Sequence, residues 1–93
     1  MPYIKPEERP KFKKGLDNLM PNIENAGQLN YVLTNLFLGY LKHNGKNYQN
    51  INDIVGALTC AKDEFYRTIV GPYENTKIIE NGDVILWNGY FGL

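Results

Sequence analysis

Between Asn50 and Val70 the chain reads NINDIVGALTCAKDEFYRTIV, and the spacing of its apolar residues constrains the fold more than any other stretch. Ile51, Ile54, Val55, Leu58, Phe65 and Ile69 recur at helical steps and form one stripe at about 100° per residue. Lys62 falls near the centre of that stripe. The far side carries Gly56, Ala57 and Cys60, small residues that let a second helix come close. A helix with two such sides has to be covered on both, and at least one cover is expected from a neighbouring molecule. The expected fold is all-α: a small bundle of three to five helices, oligomeric, with helices 28–43 and 51–70 packed together and a short C-terminal extended segment.

The remaining stretches fit around that helix as a single domain over residues 1–93. Residues 1–15 form a Pro-rich N-terminal segment, in which Pro2, Pro6 and Pro10 exclude a long helix. Pro6-Glu7-Glu8 suits a short helical turn. Leu16 to Asn25 reads as a short helix, kinked at Pro21 and ended by Ala26-Gly27. Gln28 to His43 is a second amphipathic helix on Leu29, Val32, Leu33, Leu36, Phe37 and Tyr40. Tyr31 and Leu38 lie on its opposite face, and Asn44-Gly45 is its expected C-cap. Tyr48 is expected to pack back onto a helix, and Asn50 or Asn52 to cap the central helix. That helix is expected to stop at Val70-Gly71, before Pro72. A further short helix over 73–80 would bury Ile78 and Ile79, and Asn81-Gly82-Asp83 marks a turn. Residues 83–93 form an extended aromatic tail, beginning with the strand-like DVILW, which needs a pairing mate.

Composition narrows the supports and partners. A 93-residue chain builds a modest core and commonly needs disulfides, metals or self-association. One cysteine and one histidine leave no internal disulfide and no ordinary zinc spacing, so association with copies of itself is the expected support. Ten basic and ten acidic residues cancel, which argues against duplex nucleic acid and anionic membranes as partners. Lys5, Arg9, Lys11, Lys13 and Lys14 gather near the N-terminus, most simply as a solvated face. No apolar run nears the roughly 18 residues of a membrane span. With a lone thiol, a cytoplasmic setting is expected.

Catalysis has little to stand on. Cys60 has one possible partner, His43, and nothing in the spacing joins them. Asp63 and Glu64 are adjacent and diverge by about 100°. No cofactor or metal is expected, and the protein is read as a non-enzyme. Binding is the better case. Lys62 and Tyr66 share a helix edge with Thr59, and Arg67 follows with Asp63 four residues before it. With Tyr73 and Trp87, these are the residues that could meet phosphates and stack on bases. The plainer account makes the rings core and interface.

The blocks MPYIKPEER, GQLNYVLTNL, INDIVGALTCAKDEFYRTIVGPYE and KIIENGDV resemble a family of small bacteriophage proteins described as domains of unknown function. The resemblance extends to Val84, and Ile85 to Leu93 lie outside it. It implies a phage gene expressed in the cytoplasm of an infected bacterium, without a catalytic motif and without assigned site residues. By analogy with small phage inhibitors of host defence, the expected function is an oligomeric sponge. Such a sponge would sequester a cyclic (di)nucleotide immune signal through Lys62, Tyr66, Arg67, Tyr73, Trp87 and Thr59. The competing expectation is a factor that binds and redirects a host or phage protein through the aromatic tail or the Tyr31/Leu38 face.

Overall fold

In the computed structural model, which describes residues 4–82, every regular element is helical. The four α-helices are α1 (Pro10–Leu19), α2 (Ala26–Asn44), α3 (Tyr48–Phe65) and α4 (Gly71–Asn81). Short 3-10 turns occupy Pro6–Glu8 and Met20–Asn22, and a π-helical turn, Tyr66–Val70, joins α3 to α4. The strand expected at Asp83–Trp87 and the rest of the tail lie outside the described residues. The chain divides into two compact units, Met1–Cys60 and Ala61–Leu93, described in turn.

In the first unit the helices begin where local chemistry satisfies their free N–H groups. Pro10 does not break a helix but opens α1, because a proline in the first turn gives up an N–H that has no partner there. The short helix expected over 16–25 therefore starts earlier and closes in the Met20–Asn22 turn. Ala26-Gly27 is the first turn of α2 rather than the end of the helix before it. The Asn25 side chain accepts from Gln28 N–H at 2.9 Å, and Gln28 Oε1 accepts in return from Glu24 N–H at 2.6 Å. This is the reciprocal logic of a capping box.

α2 ends as its sequence predicts, on Gly45 at φ 109°, whose N–H donates to Leu41 O at 2.7 Å. The cap of α3 is neither Asn50 nor Asn52. Asn47 Oδ1 accepts from Asn50 N–H at 2.9 Å, and the Asn50 side chain turns back to donate to Gly45 O at 2.8 Å and Asn44 O at 3.1 Å. Asn50 thus clamps the turn between α2 and α3.

The close pairing expected between helices 28–43 and 51–70 is not what unit 1 contains. Among the described residues α2 and the Tyr48–Cys60 part of α3 make no close backbone approach along their lengths. They frame an open groove of about 510 Å3, walled by Leu36, Phe37, Tyr40 and Ile54 over a floor of Gly56, Ala57 and Cys60. Tyr40 Oη reaches Asp53 Oδ2 across it at 3.5 Å, at the edge of hydrogen-bonding distance.

No described residue is fully buried. Val32, Leu33, Phe37, Leu41 and Ile54 are half-buried. Tyr48 stands 80% exposed and Ile79 86%, so neither packs against a helix as its sequence context predicts.

The second unit is carried through Pro72 by a widened turn. Pro72 has no N–H, and its ring would collide with the carbonyl four residues back, Thr68, in a regular α-helix. Instead of stopping at Val70-Gly71, the helix opens by one residue, and Gly71 N–H donates to Tyr66 O, the i→i+5 bond of a π turn. A Cβ added at Gly71 would sit 3.2 Å from Tyr66 O. α4 ends on Gly82 at φ 85°, with its N–H on Ile78 O at 2.8 Å.

Candidate functional site

The expected binding residues fall into separate groups. Thr59 belongs to unit 1, where its hydroxyl donates to Val55 O at 3.0 Å. That bond turns the group back onto its own helix. Trp87 lies outside the described residues. Lys62, Tyr66, Arg67 and Tyr73 belong to unit 2.

Within unit 2, Lys62 and Tyr66 form one couple. The Lys62 ammonium lies 5.9 Å from the centroid of the Tyr66 ring, an i,i+4 cation–π contact worth about 0.5–1 kcal/mol at an exposed site. Lys62 is exposed rather than drawn into an apolar stripe. A second couple of the same kind follows in α4: Lys77 Nζ lies 5.5 Å from the Tyr73 ring centroid and 3.2 Å from Glu80 Oε2. Lys77 was absent from the sequence-derived set. Its signal is the Tyr73-x-x-x-Lys77 spacing, the mirror of Lys62-x-x-x-Tyr66.

Seven residues separate Tyr66 from Tyr73, which in a regular helix would nearly align them. The π turn inserts one residue's rotation between them, about 100°. Arg67 pairs with Glu64 at i,i+3, Nη2 to Oε2 at 2.8 Å, and not with Asp63 at i,i+4. Glu64 is the half-buried one of the two carboxylates, where an ion pair is less screened.

Unit 1 offers the groove between α2 and α3. Its lining is apolar apart from Tyr40, Asn52 and Asp53, and Cys60 sits in it as a half-buried free thiol. His43 is exposed in the last turn of α2. Among the described residues no three His, Cys, Asp or Glu side chains gather closely enough to hold a metal ion. No helix among them is long and apolar enough to cross a membrane.

Residues 1–84 match a family model, and the chain belongs to that family, DUF6899, a domain of unknown function. No curated protein and no solved structure matches the chain.

Proposed function

We propose that this member of the DUF6899 family is a non-enzymatic, self-associating protein that sequesters a small nucleotide. Its best-fitting ligand class is a cyclic (di)nucleotide signal of host anti-phage defence. The observation that carries the reading is the pair of exposed tyrosines in unit 2, each with a lysine ammonium held over its ring. An aromatic face beside a mobile cation is what a base–phosphate ligand requires: the ring stacks and the ammonium meets the phosphate. Both rings are more than half exposed, so a base displaces water and not a packed side chain. Arg67 would add a planar, bidentate donor where a phosphate displaces Glu64 from it.

The test is a melting screen of the purified chain against cyclic mono- and dinucleotides. A ligand at a hundred times its Kd adds about 2.7 kcal/mol, which for a domain of this size is a rise of roughly 10–20 °C. Tyr66→Ala and Lys62→Glu should each abolish the rise while lowering the unliganded melt by no more than roughly 2–8 °C, the loss of one exposed cation–π contact. A flat response across the panel removes the nucleotide reading. The protein–protein reading would then stand, favoured by the exposed Tyr31/Leu38 face of α2.

A further inference from the structure

Within unit 1, α2 and the Tyr48–Cys60 part of α3 have the composition of an interface and not of a solvated surface. α2 and the Tyr48–Cys60 part of α3 carry Lys42 and Asp53 as their only formal charges, in a chain that is 22% charged. Depletion of charge, with aromatic and aliphatic residues in its place, is what marks the centre of a protein–protein contact. The centres of both helical stripes are left open: Leu29, Leu36 and Tyr40 on α2, and Ile51, Val55 and Leu58 on α3, are 41–58% exposed, Leu36 and Tyr40 among them lining the groove. These are the positions that an amphipathic helix normally covers first. Gly56, Ala57 and Cys60 of α3 line the same groove.

We infer that unit 1 completes its core only against a second copy of this chain, which covers the Ile51–Val55–Leu58 ridge of α3 and the α2–α3 groove. This rests on the self-association half of the reading above and not on its ligand.

Three observations select a copy as the occupant. The first is size. Taking roughly 150–200 Å2 for a fully exposed large apolar side chain, the six stripe residues leave on the order of 400–600 Å2 open. That is the apolar share of the ~800 Å2 footprint each partner gives to a stable dimer. The second is charge. A chain with ten basic and ten acidic residues has no net self-repulsion, and its nearly uncharged helix faces need no complementary partner charge. The third is the absence of any fully buried residue among those described. A unit without an interior cannot offset the entropy of ordering its helices, so its cover has to be present as it folds. Copies of the same chain are always available at that moment, and obligate homo-oligomers characteristically lack a stable folded monomer.

The experiment reads assembly and folding together on the full chain, with no ligand. Sedimentation equilibrium is expected to show a dimer or higher species at micromolar concentration. The melting temperature should climb with protein concentration, because dissociation and unfolding are coupled. Val55→Asp, at a site more than half exposed in one copy, should weaken assembly roughly a hundredfold, as expected for charging the centre of an interface. It should also lower helicity at the concentration where the wild type is intact. A wild-type chain that is monomeric and melts cooperatively at a concentration-independent temperature overturns the inference, whatever the variant does. So does an assembled wild type whose Val55→Asp variant assembles as well, since the ridge would then lie outside the contact. Neither readout depends on the nucleotide screen, so a monomeric wild type removes self-association and leaves the ligand reading to its own test, and an assembled wild type lacking Val55 at its contact removes only this interface.

Discussion

Glycine and asparagine do different work at different positions in this chain, and the contrast can be tested. Gly15 lies inside α1 with nothing within 4 Å of an added Cβ. Gly15→Ala should therefore gain the usual helix propensity, about 0.5–1 kcal/mol. Gly71 is also helical, at φ −59°, yet its added Cβ meets the Tyr66 carbonyl at 3.2 Å. That oxygen is backbone and cannot swing aside, so Gly71→Ala should yield no gain and a loss of up to about 1 kcal/mol. Parallel thermal melts by circular dichroism decide it; equal stabilisation by both substitutions would mean that the π turn is not held by that glycine. The asparagines teach a related lesson. Asn44-Gly45 could be read as a C-cap from its dipeptide alone, because a positive φ on glycine is a local demand. Asn47 against Asn50 could not, since either spacing supplies a cap, and the choice follows from Asn50 reaching the carbonyls of Asn44 and Gly45.

The helical elements were readable from period, and their ends less so. The stripes of α2 and α3 stand where the spacing of their apolar residues puts them. Pro10 agrees with the absence of a long helix through the N-terminal prolines, while Pro72 departs from the expected stop. Pro10 starts a helix and Pro72 is passed through, because proline forbids only particular hydrogen bonds and not helix as such. The relative phase of Tyr66 and Tyr73 is not legible from their seven-residue separation, since a π turn shifts helical phase and leaves no mark in a spacing rule. If Pro72 is what opens the turn, Pro72→Ala should let it close. Gly71 N–H would move from Tyr66 O to Arg67 O, and α4 would rotate by about 100° relative to the turn before it. Tyr73 would then line up with Tyr66. Backbone amide and NOE assignments of the two proteins measure this directly, and persistence of the i→i+5 bond in the variant would assign the π turn to another cause.

The molecule as a whole presents two surfaces of opposite physical character, and ionic strength separates them. The proposed contact between copies is built on Leu29, Leu36, Tyr40, Ile51, Val55 and Leu58, with Lys42 and Asp53 as the only formal charges on α2 and the Tyr48–Cys60 part of α3. Its driving force is removal of apolar area from water, which salt does not screen and sulfate strengthens. The proposed ligand sites depend on exposed ammonium groups, Lys62 and Lys77, whose attraction for phosphate falls as the screening length drops from about 10 Å at 0.1 M to about 3 Å at 1 M. Raising sodium chloride over that range should leave the assembly constant within roughly twofold by sedimentation, while nucleotide affinity by calorimetry falls about tenfold or more. Sodium sulfate should tighten assembly. Dissociation by chloride alone would mean that charges, and not the exposed stripes of α2 and α3, hold the copies together. The helix pair would then be left with its apolar centres still in search of cover.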